Sequence, residues 1–309
     1  MIDIIIPTYN AIKTLERTLF SISYQTISEK LNVYIVNDYS DDDYSEIINY
    51  FSMHLNIKEI KLDKNVGPGL AREEGVKNSN SKYIMFIDSD DMFAAPNSIE
   101  IIYNEINNKD SDVVIGKFIE CRESDFVHHD NDEIWLHGKI YRREFIEKNN
   151  IHFNDSRANE DNYFNQCIML SDPKKDYIDY PIYFWMYNES SITRKNNYEY
   201  SYKGLFGYIK NMDEALQFAI NNKKSEINIG NFSFAVLYAI YYYYIEYNDK
   251  EFLNISKNIK NIFLNYKQFI NNENDIKESQ YDFALRTLTP EIINSSKLTF
   301  DEFLESIGE

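Results

Sequence analysis

Short apolar runs recur through the first 115 residues, each closed by a proline, an asparagine or acids, and most lead into a segment of helical spacing. Ile2-Asp3-Ile4-Ile5-Ile6 stops at Pro7 and reads as a buried strand. Asn10 can then cap a helix whose face is Ile12, Leu15, Leu19 and Ile22, three and four residues apart. Residues 33–36 form a second strand that ends in the acidic turn 38–43, and a weak helix through Ile47 and Ile48 leads to a strand at 57–62. Gly67-Pro68 opens the next helix, with proline where no backbone donor is lost. Residues 83–87 are a further strand, Pro96 starts another helix, and 112–115 supply a last strand. Continuous apolar strands alternating with helices predict an α/β fold, with a mostly parallel sheet covered on both faces.

In open α/β sheets, ligands bind outside the carboxyl ends of the strands. Here those ends are Pro7-Thr8-Tyr9, Asp38 with 41–43, Asn65-Val66-Gly67, and Asp88-Ser89-Asp90-Asp91. Asp and Asn are also good turn and cap residues, so a single cluster says little. Two acidic clusters on one edge favour a site. Asp88-Ser89-Asp90 sets two carboxylates around one residue at a strand end, where both can face one cavity. Hard oxygen ligands suit Mg²⁺ or Mn²⁺, and such an ion bridges protein carboxylates to phosphate oxygens. A helix-capping turn ahead of Pro96 would use the same residues.

Composition narrows the class. The chain has 309 residues, with 32 Lys+Arg against 50 Asp+Glu and a formal net charge of -18. That balance argues against a protein whose main task is clamping nucleic-acid phosphates. A hydrophobic share of 43% excludes global disorder. Cys121 and Cys167 form no zinc spacing and no disulfide framework, which makes a reducing cytoplasm the default compartment. The opening residues lack the basic stretch of a signal peptide. The uncharged stretch 227–245 contains Asn228, Asn231 and Tyr241 to Tyr244, so it reads as a buried or membrane-surface helix, not a span.

After Gly116 the alternation weakens, and from about 200 onward the pattern is helical. The chain therefore divides into 1–200, with halves 1–115 and 116–200, and a helical region 201–309. That last region is a candidate for homo-oligomer or peripheral membrane contact. His128-His129 would alternate faces on a strand, which disfavours joint metal ligation and favours exposed loop histidines. Lys139-Ile140-Tyr141-Arg142-Arg143 reads as a local basic patch, suited to an anionic acceptor or to a plain helix face.

In order along the chain stand Ile4-Ile5-Ile6-Pro7-Thr8-Tyr9-Asn10, Ser21-Ile22 with Gln25-Thr26, and Val36-Asn37-Asp38-Tyr39-Ser40-Asp41-Asp42. Asn65-Val66-Gly67-Pro68-Gly69-Leu70-Ala71-Arg72, the strand ending Asp88-Ser89-Asp90, Gly138-Lys139-Ile140-Tyr141-Arg142-Arg143-Glu144-Phe145 and Glu160-Asp161 follow. Together they resemble the family 2 glycosyltransferases of the GT-A fold, an inverting class that uses nucleotide-sugars. The resemblance implies a Rossmann-like mixed, mostly parallel sheet flanked by helices over roughly residues 2–195.

Carried over by position, it implies that Pro7, Thr8 and Tyr9 wall the nucleobase and ribose. Asp38 would accept a hydrogen bond from the uracil N–H, which favours a UDP-sugar donor; otherwise it is a turn residue. Asp42 matches the second acid of that loop and equally suits a helix N-cap. Asn65 and Gly67 would let backbone approach the nucleotide, and Arg72 would reach the base or diphosphate. Asp88 would touch the ribose with Ser89 beside it, and Asp90, with Asp88, would hold the Mn²⁺ or Mg²⁺ that binds the diphosphate. Asp161 would be the base that takes the acceptor proton, with Glu160 orienting acceptor or base; without the resemblance, both are helix N-terminal acids favoured by the dipole.

Trp135, His137 and Lys139 could line the acceptor pocket. A basic residue common near position 188 is missing, and Arg194 or the hydroxyls of Ser190, Ser191 and Thr193 would substitute for it. Tyr39 and Asp43 stand where glycine is common, which bears on the shape of the second loop. The expected activity is transfer of a sugar to a hydroxyl of a cell-surface glycan, polymer or lipid-linked saccharide. A modified DNA base or a protein is an alternative acceptor, and an inactive nucleotide-sugar or glycan-binding module is the non-enzyme alternative. Thr8-Tyr9-Asn10-Ala11 is not the glycine-rich loop that a nucleotidylyltransferase needs after its first strand.

Overall fold

A computed structural model describes residues 1–188 and 198–226, with 228–230, 232–233, 236 and 302 beyond them. The chain divides into two compact units, Met1–Ser201 and Tyr202–Glu309. The first is built on one nine-stranded sheet of order β3-β2-β1-β4-β8-β6-β9-β5, with β7 added beside β6.

The parallel half follows the alternation in the sequence. β1 (Ile2–Thr8) lies between β2 (Leu31–Asn37) and β4 (Tyr83–Phe86), and β3 (Asn56–Lys61) closes the edge. β1 and β4 are buried along almost their whole length, as unbroken apolar strands require, whereas β3 alternates exposed and half-buried positions as an edge strand does. The connecting helices are α1 (Leu15–Ser23), α2 (Ser45–Phe51) and α3 (Pro68–Lys77). Leu15, Leu19 and Ile22 of α1 are buried against the core, while Ile12 is exposed ahead of the helix. Asn10 does not cap α1: it takes a left-handed conformation (φ 49°), and its side-chain oxygen accepts from the Asp41 N–H at 3.2 Å. The early turn is spent on holding two loops together, so the helix starts later than its apolar spacing suggests.

Beyond β4 the sheet becomes mixed. β5 (Met92–Phe93) and α4 (Ser98–Lys109) lead to β6 (Val113–Cys121), which runs well past the expected 112–115. β6 does not pair with β4. β8 (Lys139–Arg142) inserts between them, antiparallel to both, while β9 (Lys175–Trp185) runs parallel to β6. β7 (Phe126–His129) pairs antiparallel with β6, so His128 and His129 stand on a strand and not in a loop. His129 stacks on Phe118 with ring centroids 4.2 Å apart.

Two short helices complete this unit, α5 (Arg143–Lys148) and α6 (Glu160–Leu170). The expected basic patch is not a surface feature. Lys139 and Arg142 are buried in β8, and Arg143 turns inward to Asp3 of β1 (Nη2 to Oδ2 3.0 Å) and to the Ser79 hydroxyl (2.6 Å). Asp3, embedded in an apolar run, also accepts from the Ser81 N–H at 2.6 Å, and this satisfies a wholly buried charge.

In the second unit, α7 (Tyr198–Asn221) buries Met212, Ala215, Leu216 and Ala219 at helical spacing. The stretch 227–245 falls largely outside the described residues, and among those described no helix is long and apolar enough to cross a membrane.

Candidate active site

The loops after β1 and β2 are laced together at the carboxyl edge of the sheet. The Asp38 N–H donates to the Thr8 carbonyl at 2.9 Å, and the Ala11 N–H donates to the Tyr44 hydroxyl at 3.0 Å. Asp42 accepts from the Ile12 N–H at 3.0 Å and does not cap α2, so its carboxylate fixes the first loop. Tyr39 keeps a left-handed backbone (φ 62°), with the Ser40 N–H held by Asn37 at 2.9 Å. The loop thus adopts the shape that glycine would favour. Pro7 is half-buried, Thr8 is buried and Tyr9 projects its ring outward from this edge.

Asp38 is buried. Its two oxygens accept from the Val66 N–H (2.7 Å) and the Gly67 N–H (2.8 Å), while Asn65 donates to its carbonyl at 3.1 Å. Carboxylate oxygens have further lone pairs, so this clasp leaves acceptor capacity at the edge. Gly67 has φ 92° as it enters α3, a backbone that side-chain-bearing residues resist. Arg157, which the sequence reading passed over, donates to the Asn65 side-chain oxygen and to its carbonyl (3.2 Å), and packs over Gly67.

Arg72 joins the carboxyl edge of the sheet to the far half. It is buried on α3, and its guanidinium reaches Asp88 Oδ1 at 2.5 Å and Glu160 Oε1 at 2.7 Å. Gly69 makes this possible, because a Cβ there would stand 2.8 Å from Glu160 Cγ. Burial works against the Arg72 charge, but Asp88, then Glu160 and Asp161, hold it firmly protonated. Burial likewise pushes the Asp88 carboxyl up; the Arg72 guanidinium and His137 outweigh it and keep the group below the usual carboxylate range. Arg72 is therefore occupied by two carboxylates at the place where the sequence implied a contact to base or diphosphate.

The acids after β4 crowd together. Asp88 presents a side chain about a third exposed beside Ser89, which is half-buried. Asp91 is wholly buried and accepts from the Tyr183 hydroxyl (2.5 Å) and the Met186 N–H (2.7 Å). Asp90 accepts from the Asn188 amide at 2.7 Å, and its backbone carbonyl accepts from Arg17. Burial and the neighbouring carboxylates raise the pKa of both Asp90 and Asp91 above the ordinary value. His137 Nε2 lies 3.9 Å from Asp88 Oδ2, and its ring stacks on Tyr183 with centroids 4.7 Å apart. Burial lowers the His137 pKa against the pull of Asp88, and its buried Nδ1 has no hydrogen-bond partner.

One ligand atom each from Asp88, Asp91 and His137 fall within 4.8 Å of one another, which fits a divalent cation. Excess carboxylate charge and an orphaned imidazole nitrogen point the same way. Of the two ligands expected from sequence, Asp88 is in that trio and Asp90 is not, whereas Asp91 and His137 are. Neither stood out as a metal ligand in sequence: Asp91 looked like the tail of a turn, and His137 lies far along the chain.

Glu160 and Asp161 form the first turn of α6. Glu160 is buried and committed to Arg72, and Asp161 is half-buried, accepting from the Asn162 N–H at 2.8 Å. Burial, reinforced by Glu160 and opposed by Arg72, lifts the Asp161 carboxyl to about 7. A carboxyl titrating near neutrality is suited to taking a proton from a hydroxyl. Trp135 is half-buried, 5.8 Å from Trp185 between ring centroids. Lys139 is fully buried and cannot meet an acceptor directly. Arg194, Ser190, Ser191 and Thr193 lie outside the described residues.

The match to known proteins agrees with this architecture. The glycosyl transferase family 2 model matches residues 3–159, just over half of the chain. Glycosyltransferase GlyA of Streptococcus pneumoniae is 28% identical over 62% of this chain, which spans 31% of that protein's length. Poly(ribitol-phosphate) beta-N-acetylglucosaminyltransferase TarP of Staphylococcus aureus is 28% identical, over 64% of this chain and 68% of TarP. Among solved structures, S. aureus TarS 1-349 in complex with UDP-GlcNAc superposes with a TM-score of 0.70 at 19% identity, covering 98% of this chain and 89% of that one. A Pyrobaculum calidifontis mannosyltransferase, PcManGT, in complex with GDP-Man and Mn2+ gives 0.56 at 12% identity, over 99% and 85% of the two chains. These likenesses establish the GT-A fold, and the family match carries the assignment: the chain belongs to glycosyl transferase family 2.

Proposed function

We propose that this chain is an inverting glycosyltransferase that moves a sugar from a UDP-sugar to a hydroxyl of a cell-surface glycan, polymer or lipid-linked saccharide. The observation that carries the reading is the Arg72 bridge, which sets Asp161, lifted to about 7, next to the carboxylates of the donor edge. The relative named for poly(ribitol-phosphate) supports a polymer acceptor, and the neighbour bound to UDP-GlcNAc supports a UDP-sugar donor.

In this account Pro7, Thr8 and Tyr9 wall the nucleobase, and Asp38 shapes the Asn65–Gly67 loop while offering its remaining lone pairs to the uracil N–H. Asp161 accepts the proton of the acceptor hydroxyl as that oxygen attacks the anomeric carbon. The nucleoside diphosphate leaves from the opposite face, which inverts the centre. Glu160 keeps Arg72 in place beside the base. Asp88, with Asp91 and His137 converging on it and Asp90 beside them, would hold Mn²⁺ or Mg²⁺. When bound, such an ion neutralises charge on the departing phosphate. The 1–200 segment is the transfer domain of this proposal and 201–309 an accessory region, acting in the cytoplasm.

UDP release from a panel of UDP-sugars tests the reading. Release that stops in chelator and returns with Mn²⁺ or Mg²⁺ supports it; turnover untouched by chelator removes the metal role. Binding of GDP in preference to UDP would overturn the donor class.

A further inference from the structure

The loop 130–138 between β7 and β8 carries Trp135 and His137, and its backbone is gripped from within the molecule. Asp132 Oδ1 accepts from the Ile134 N–H (2.9 Å) and the Trp135 N–H (2.8 Å). On α6, Asn165 donates to the Ile134 carbonyl at 2.8 Å and accepts from the Tyr141 hydroxyl at 2.7 Å. Glu133 reaches out to Lys175 of β9 at 2.5 Å. Lys139 lies at the centre: its ammonium donates to the Trp135 carbonyl and stands 3.6 Å from Asp132 Oδ1, with a side chain 0% exposed.

We propose that Lys139 is a positioning residue, which never touches the acceptor but holds the 130–138 loop so that Trp135 and His137 stand fixed beside the donor-edge carboxylates. Both of its close oxygen partners belong to that loop. A buried ammonium is costly unless paired, so the loop must close around it. The loop exits through Gly138 (φ 66°), whose carbonyl accepts from the Gly116 N–H at 2.9 Å, and this sets the direction of the His137 side chain toward Asp88. Asn165 lies on the helix whose first turn bears Asp161, so the loop is tied to the same helix as the proposed base. The seating of the loop by Lys139 stands on these contacts alone, and the acceptor and donor-edge roles rest on the transferase reading above.

The chain's two tryptophans, Trp135 and Trp185, make the test direct. Trp185→Phe leaves Trp135 as the sole reporter. Adding Lys139→Met is expected to red-shift Trp135 emission and raise its acrylamide quenching about twofold, as a locally loosened loop does. UDP titration checks that the variants remain folded. Adding Asp132→Asn to that protein removes the uncompensated carboxylate yet keeps an oxygen for Ile134 and Trp135, and is expected to return quenching toward the parent. Should Lys139→Met not fold, Asp132→Asn alone, which keeps an oxygen for Ile134 and Trp135 but removes the counter-charge of Lys139, must loosen Trp135 in the same way. Unchanged Trp135 emission, or no recovery in the Asp132→Asn combination, overturns the proposal. Loss of UDP binding in the Trp185→Phe parent counts against the donor reading instead, and the quenching comparison still decides the role of Lys139.

Discussion

Asp161 and Glu160 are adjacent in sequence and on the same helical turn, yet their environments set them to different tasks. Glu160 spends its charge on Arg72, whereas Asp161 is raised to about 7 by burial and by Glu160. A base must be deprotonated to work, so turnover is expected to fall as pH drops through about 7 and to level off above it. Asp161→Asn should cut turnover by about 10²–10⁴-fold while calorimetry finds UDP affinity unchanged. Tyr39 presents a different balance at the same scale. Its side chain is exposed but its φ is 62°, a conformation that costs a bulky residue. Tyr39→Gly is expected to raise stability by about 1 kcal/mol in denaturant melts, the relief of strain exceeding the entropy that glycine adds to the unfolded chain.

Secondary-structure elements show what was legible in the sequence. The parallel strands β1, β2 and β4 are apolar runs closed by turn residues, and their periodicity needs no tertiary information to read. β8 is different: it carries Lys139, Arg142 and the start of the Arg143 contacts, so its composition looks like a surface patch until the partners that bury it are known. Asp3 hides in the opposite way, an acid inside an apolar strand whose partner lies 140 residues later. Removing one member of such a buried pair strands the other. Asp3→Ala is expected to destabilise the protein by about 3–5 kcal/mol, read as a lowered midpoint of chemical unfolding, with Asp3→Asn less severe. The short motifs located the carboxyl edge of the sheet because strand ends define it. They did not reveal that Asp91 and His137 converge with Asp88, because that depends on β8 inserting beside β4.

At the scale of the whole molecule, the acidic excess of the chain divides into two kinds. Among the described residues many acids lie on the solvated surface, but Asp88, Asp90, Asp91, Glu160 and Asp161 gather around one edge of the sheet, with Arg72 as the buried cation between them. That gathering makes the proposed donor edge and the proposed base one electrostatic unit, so removing the cation should affect both ends. Arg72→Met is expected to weaken UDP binding and to shift the acid limb of the pH profile upward, since Arg72 opposes the rise of the Asp161 pKa. The most direct test of the account is the pH dependence of UDP release from a panel of UDP-sugars, measured for the wild type and for Asp161→Asn. The account predicts release by the wild type with a half-maximum near pH 7, and loss of that limb in the variant. No release from any UDP-sugar, or an unaltered profile in Asp161→Asn, would contradict it.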